Sequence, residues 1–482
     1  MKTVSTKAGA GSAPGDLARL SATDMLEGYR RGVFDPVDVI DDTISALEAV
    51  DSSCNIMVAD LFDTARSAAE KSARAYRTGE AGPMEGVPVS IKDLVFVAGA
   101  PAKGGAPSLA GHVAGVDAHV VSKLKNAGAI PTCKTTTCES GYKLTADSPV
   151  SGITRNPWNP ERTSGGSSGG AAAGVAAGAG PVAIGTDGVG SIRVPSSFCG
   201  VFGLKPTYGL VSRAPGFFPP SWGTLAHTGP IARTVADAEL TLKTIAGYDV
   251  RDAASLDCWA PGRETGGSGP LRVAVSPDFG YAAVDPAVAA AFKAAVDKLL
   301  AADFRADDTV LELDPDILAR VLKPIALTEQ AASIGDRTDA DFTDSDEDFR
   351  DVIEAGRQYS GVDYMAAMHR RSKLRGQFVE FFKSADILLT PTVAVPAFRA
   401  GTLGVSEIDG RPVDGHLGWS PFTWPINLVG LPAASVPCGY TPDGLPVGLQ
   451  VIASWGQEAR IFQVARALER LLPWEASCPV LR

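Results

Sequence analysis

Between residues 165 and 209, glycine recurs every few positions among short apolar runs, and no other stretch limits the fold as strongly. Lacking a Cβ, glycine takes backbone dihedrals closed to other residues and lets two segments approach closely. Dense glycine in a polar stretch would read as a spacer. Here it flanks AAAGVAAGAG, which reads as a helix of small residues, and PVAIGTD, which reads as a short buried strand. The expectation is therefore tight turns inside a packed core.

The remaining chain supplies the layers for such a core. Hydrophobic residues make up 45% of the 482, and charged residues 21%, which is ordinary globular composition. Residues 23–50 read as two helices, the first capped by Thr23 or Asp24. The second is opened by Pro36, with Val39, Ile40, Ile44 and Leu47 on one face. Residues 60–78 and 117–127 read as further helices, and VPVSIKDLVFV and AIPTCK as strands. The segment 150–165 is rich in Pro, Asn, Gly and Ser and reads as loop. Strand candidates at 271–276, 385–395 and 431–439 follow, with helices at 286–301 and at EARIFQVARALERLL. This alternation predicts an α/β fold with a mixed central sheet between helices. Residues 1–15 read as a flexible polar tail and 16–482 as one domain, the ten residues 261–270 being a surface loop or linker. The acidic segment 335–358 reads as a solvated helix face, or as a mobile lid within a variable pocket region at about 320–370.

Charge and composition exclude several functions. The net charge is −11 with no basic run, which argues against nucleic acid and anionic membrane surfaces as partners. No apolar run reaches membrane-spanning length, and the first residues lack the apolar core of a secretion signal. Seven scattered cysteines, none in C-x-x-C spacing, read as reduced thiols of a cytoplasmic protein. The five histidines form no ligand pattern, so neither metal nor cofactor is expected.

Three motifs carry chemistry. In GVPVSIKD, Lys92 stands in an otherwise apolar strand. It either snorkels to water from a strand end or lies buried, where desolvation favours the neutral amine and makes it a base. In TSGGSSGG, Ser167 and Ser168 sit between two glycine pairs just before a helix. In GTDGVGSIRVP, Ser191 follows glycines that can expose consecutive backbone N–H groups, a nest suited to an anion or a developing oxyanion. Together they supply what amide cleavage requires, namely a nucleophile, a base and a proton donor for the departing amine.

The run from Gly165 to Thr207, GGSSGGAAAGVAAGAGPVAIGTDGVGSIRVPSSFCGVFGLKPT, resembles the signature of the amidase-signature family. GVPVSIKD, RNPWNPERTSGGSSGG, ADILLTPT and FTWPINLVGLPAASVPCG extend the likeness from about Leu20 to the end, with the core of the signature at about 86–210. The resemblance implies an amide hydrolase with Lys92 as base, Ser167 as proton shuttle preceded by a cis peptide, and Ser191 as nucleophile. The 24-residue separation of the two serines agrees with that pattern. It also implies an oxyanion hole from the backbone N–H groups of Gly188, Val189, Gly190 and Ser191. Ser168, Thr186, Asp187 and Arg193 would support the loops. Val189 stands where the family commonly has glycine, which puts the shape of the pocket mouth in question, and CKTTTCE replaces the commoner Gly-Lys-Thr-Asn strand.

The expected partners are a small amide or carbamate and water, with the chain a monomer or homodimer. Tyr142, Phe217, Phe218, Trp222, Phe422 and Trp424 are candidate pocket walls, which would suit an aryl or aliphatic amide; each could equally be core packing. In general layout the chain resembles the aryl-acylamidase, nylon-oligomer hydrolase and urethanase branches. Two alternatives stand beside this reading. One is the A subunit of a glutamine-dependent tRNA amidotransferase. The other is an α/β-hydrolase esterase using the G-x-S-x-G around Ser167 with His369 or His416 as base.

Overall fold

The computed structural model describes residues 17–216, 223–257, 270–302, 304–334, 342–474 and 479. The polar tail and nearly all of the 261–270 loop lie outside them. Eleven strands form one mixed sheet. In spatial order they are Met57–Asp60, Ile130–Thr135, Pro88–Lys92, Val182–Asp187, His227–Ala232, Phe202–Lys205, Ala433–Tyr440, Pro446–Ala453, Ile387–Pro391, Arg272–Val275 and Arg305–Asp307. Pro88–Lys92 runs parallel to both of its neighbours, whereas the strands from Val182–Asp187 to Ile387–Pro391 pair antiparallel.

Strand side chains alternate between faces, and this period of two divides the core. Leu449, Val451 and Ala453 join one hydrophobic cluster, while Ile452 joins another. On the first face lie helices Pro286–Leu300 and Glu458–Leu471; helix Arg193–Cys199 packs on the same central strands. The alternation also sets Lys92 apart from Val89 and Ile91. Those two enter the apolar cluster, and Lys92 points to the other side of its strand.

Local signals account for most element boundaries, with some shifts. The first helix is Ala22–Arg31, and its cap is Ser21, whose hydroxyl accepts from Asp24 N–H; neither Thr23 nor Asp24 is the cap. Helix Pro36–Cys54 starts with a capping box between Asp35 and Asp38. The strand ends at Lys92: Asp93 N–H makes the last ladder bond, to the carbonyl of Thr135, and the chain then turns, with Val95 N–H donating to the carbonyl of Lys92. The segment expected as loop at 150–165 contains a small hairpin, Arg155–Asn156 with Asn159–Thr163.

Helix Glu347–Arg357 occupies the acidic segment. Its apolar face, Phe349, Val352 and Ile353, is buried together with Tyr142. Two contacts fasten it to the 138–147 region. Lys143 Nζ lies 2.6 Å from Asp346 Oδ2, and the Glu139 carboxylate accepts from Ser345 Oγ and from Asp346 N–H. Among the described residues, no helix is long and apolar enough to cross a membrane.

Candidate active site

Lys92 is fully buried, and its Nζ is ringed by three hydroxyl oxygens: Ser167 Oγ at 2.7 Å, Ser168 Oγ at 3.0 Å and Thr186 Oγ1 at 2.9 Å. Among the described residues, no carboxylate lies within ion-pair distance. Burial therefore dominates and draws the amine down to about 7, with Cys138 and Asp187 exerting only smaller upward pulls. Hydrogen accounting then orients the amine. Ser168 Oγ donates to the Thr186 carbonyl at 3.1 Å and already accepts from Thr186 N–H at 3.3 Å. With its one hydrogen committed, Ser168 can only accept from Lys92. A neutral amine has two hydrogens and one lone pair. The lone pair must therefore face Ser167 or Thr186.

Glycine makes this approach feasible. A Cβ on Gly166 would lie 2.1 Å from the Thr145 carbonyl oxygen, and one on Gly165 would lie 2.9 Å from Pro195 Cα. Gly165 also has φ +72°, and the Gly166–Ser167 peptide is cis. Ser168 N–H donates to the Ser191 carbonyl at 3.1 Å, which ties the two serine loops together. Ser167 and Ser191 line one cleft of about 660 Å³, counting its solvent-open space. The Ser191 hydroxyl makes no hydrogen bond among the described residues.

The loop bearing Ser191 is held from beneath. Asp187 and Arg193 are both fully buried and paired twice, Nη2 to Oδ1 at 2.9 Å and Nε to Oδ2 at 3.0 Å. Arg193 Nη1 also donates to Gln450 Oε1 and the Thr423 carbonyl, and Asn427 Nδ2 donates to Asp187. Burial alone would raise the Asp187 carboxyl. The Arg193 guanidinium and these hydrogen bonds overcome it and hold the carboxyl well below the usual range.

This arrangement corrects the expected four-donor oxyanion hole. Gly190 N–H is committed to Asp187 Oδ1 at 2.8 Å, and Ile192 N–H to Oδ2 at 3.1 Å. The N–H groups of Gly188, Val189 and Ser191 have no protein acceptor among the described residues, so three of the four remain available. Val189 does not shape the mouth. Its side chain is buried in an apolar cluster with Val194 and Phe198, and its carbonyl accepts from Thr423 Oγ1.

Three of the six expected aromatic walls are also corrected. Tyr142 packs against Phe349, Phe422 against Phe279, and Trp424 is buried in the same cluster as Phe422. None of the three lines the cleft; Phe217, Phe218 and Trp222 lie outside the described residues. Large rings bury the most apolar area in the core, and here they do so. The cleft is walled instead by Leu94, Val120, Ser140, Gly141, Arg213 and Gly216 among others, and by no histidine or residue of 320–370 among those described. His416 is deeply buried away from it, and its imidazole is pushed down to about 4. Asn427 and Gln450 carried no assignment from sequence, and Arg213 and Thr423 only stood within segments, 213–222 and 416–424, expected to wall the pocket. The only sequence signal of the first two was a polar residue within an apolar run.

Comparison with known proteins places the chain in a family. The amidase family model matches residues 38–462. An acylamidase of Rhodococcus erythropolis is 35% identical over 470 residues, covering 95% of this chain and 97% of the relative. The A subunit of the glutamyl-tRNA(Gln) amidotransferase of Syntrophus aciditrophicus is 31% identical over 499 residues, covering 97% and 100%. The crystal structure of a bacterial aryl acylamidase superposes with a TM-score of 0.87 at 29% identity, covering 96% of this chain and 99% of the other. The chain belongs to the amidase-signature family of amide hydrolases.

Proposed function

We propose that this site cleaves C–N bonds of aryl amides and carbamates through an acyl-enzyme, with Ser191, Ser167 and Lys92 as the reacting groups. The observation that carries the proposal is the 2.7 Å hydrogen bond between Ser167 and a buried lysine that has no counter-ion among the described residues. Neutral Lys92 takes the Ser167 proton as Ser167 takes that of Ser191. Ser191 Oγ attacks the acyl carbon, and the N–H groups of Gly188, Val189 and Ser191 receive the oxyanion. Preorganised donors of this kind contribute about 10²–10³ in rate each. As the C–N bond breaks, Ser167 passes a proton to the departing amine and recovers one from Lys92. Water then attacks the acyl-enzyme by the same relay and releases the acid and Ser191. Esters should react too, since their leaving group needs less protonation. The reacting unit is residues 16–482, a monomer or homodimer in the cytoplasm.

The test is p-nitroaniline release from a p-nitroanilide by wild type, Lys92→Ala and Ser191→Ala. Both variants should lose turnover by at least about a thousandfold; wild-type turnover in Ser191→Ala would sink the proposal. The similarity to an amidotransferase chain supports a second reading. Ammonia release from glutamine that appears only with copurifying subunits would favour that reading.

A further inference from the structure

Among the described residues lining the cleft, Arg213 alone is charged. Its guanidinium makes one hydrogen bond among the described residues, from Nη2 to the Gly223 carbonyl at 2.7 Å, and none of their carboxylates lies within ion-pair distance. Its other guanidinium donors have no acceptor among these residues. By contrast, the fully buried Arg193 has a carboxylate, an amide oxygen and a carbonyl as partners.

The backbone beneath Arg213 is held firmly. Its N–H donates to Asp252 Oδ2 at 3.0 Å, and the single Ser212 hydroxyl hydrogen is shared between Asp249 Oδ2 at 3.3 Å and Asp252 Oδ2 at 3.2 Å. Ala214 N–H donates to Ser212 Oγ, and the Ala214 carbonyl accepts from His119 N–H at 2.8 Å. Asp252 accepts from main chain and the Ser212 hydroxyl, and Asp249 is ion-paired with Arg251 at 2.9 Å, so among the described residues neither carboxylate compensates the Arg213 guanidinium. A guanidinium pinned in the wall of a mostly apolar cleft, with no carboxylate partner among the described residues, is suited to a planar oxyanion, since its fork matches two oxygens at once.

We propose that Arg213 is a specificity-determining residue that binds a carboxylate on the substrate, remote from the bond being cleaved. The preferred substrates are amides that also carry an acidic group, on the acyl or the amine side. This rests on the proposed amide-hydrolase reading of the same cleft and adds a substrate class to it.

The test compares kcat/KM for two matched pairs of anilides. On the amine side, 4-acetamidobenzoate is set against 4-methylacetanilide; on the acyl side, succinanilate is set against pentananilide. Each anionic-over-neutral ratio is measured in wild type, Arg213→Met and Arg213→Lys. Electronic differences within a pair are common to all three proteins and cancel between them. For one pair the ratio should fall about tenfold or more in Arg213→Met. Arg213→Lys should retain part of it, and the wild-type preference should weaken with added salt. A structural role would lower both members of a pair alike and leave the ratio unchanged. Ratios equal within twofold across the three proteins would overturn this inference while leaving amide cleavage intact. Failure of the wild-type chain to cleave any of the four anilides would overturn the proposed function, and this inference with it.

Discussion

Lowering the pH should silence this protein along a limb set by one lysine. Lys92 is enclosed with three hydroxyl oxygens and no carboxylate among the described residues, so the cost of burying its ammonium form is not offset, and its pKa falls to about 7. The proposed relay needs the amine neutral. kcat/KM should therefore follow the neutral fraction, which is about one tenth at pH 6 and about one hundredth at pH 5 relative to a plateau above pH 8. The groups that act on Lys92, Cys138 and Asp187, do not titrate across this window. Asp187 is held well below the usual carboxylate range, burial lifts the Cys138 thiol to about 11, and burial keeps the His227 imidazole neutral. The assay is initial anilide hydrolysis at substrate concentrations far below KM, at constant ionic strength, from pH 5 to 9. A profile flat from pH 5 to 8, or a limb centred above pH 9, would refute the reasoning. The same group makes stability rise with pH above about 7. There the unfolded chain keeps a lysine proton that the folded chain has already lost, up to the ordinary lysine value.

Two further outcomes follow from the geometry. Arg193→Met leaves the Asp187 carboxylate buried without its partner, so unfolding free energy should fall by about 3–5 kcal/mol in a denaturant melt; a loss under about 1 kcal/mol would show that the pair does not support the Ser191 loop. Gly141→Ala puts a Cβ 3.0 Å from Leu94 Cδ1 and 3.4 Å from Ser167 Oγ at a backbone φ of +72°. Strain of about 1–2 kcal/mol should appear in the melt, together with a lower kcat/KM for anilides, and unchanged kinetics would place that wall away from the substrate.

Much of this molecule is legible in order along the chain. Strand and helix periodicity marks the layers, and glycine pairs around Ser167 and before Ser191 mark where the backbone must turn tightly. Lys92 is visible as a charge in an apolar strand, and the three motifs together suffice to suggest the family. These signals are local because dihedral freedom and side-chain period act over a few residues. Tertiary packing decided the rest. Gly190 N–H faces Asp187 rather than the cleft because Arg193 and Asn427 hold that carboxylate while Thr423 and Gln450 hold Arg193, the last three from segments more than 200 residues away. Whether Tyr142, Phe422 and Trp424 wall a pocket or fill a core depends on Phe349, Phe279 and the cluster they meet. Whether Arg213 is paired depends on where its loop is pinned. A residue type states what a side chain can do; only its neighbours in space decide which donors are already taken and which remain for a substrate.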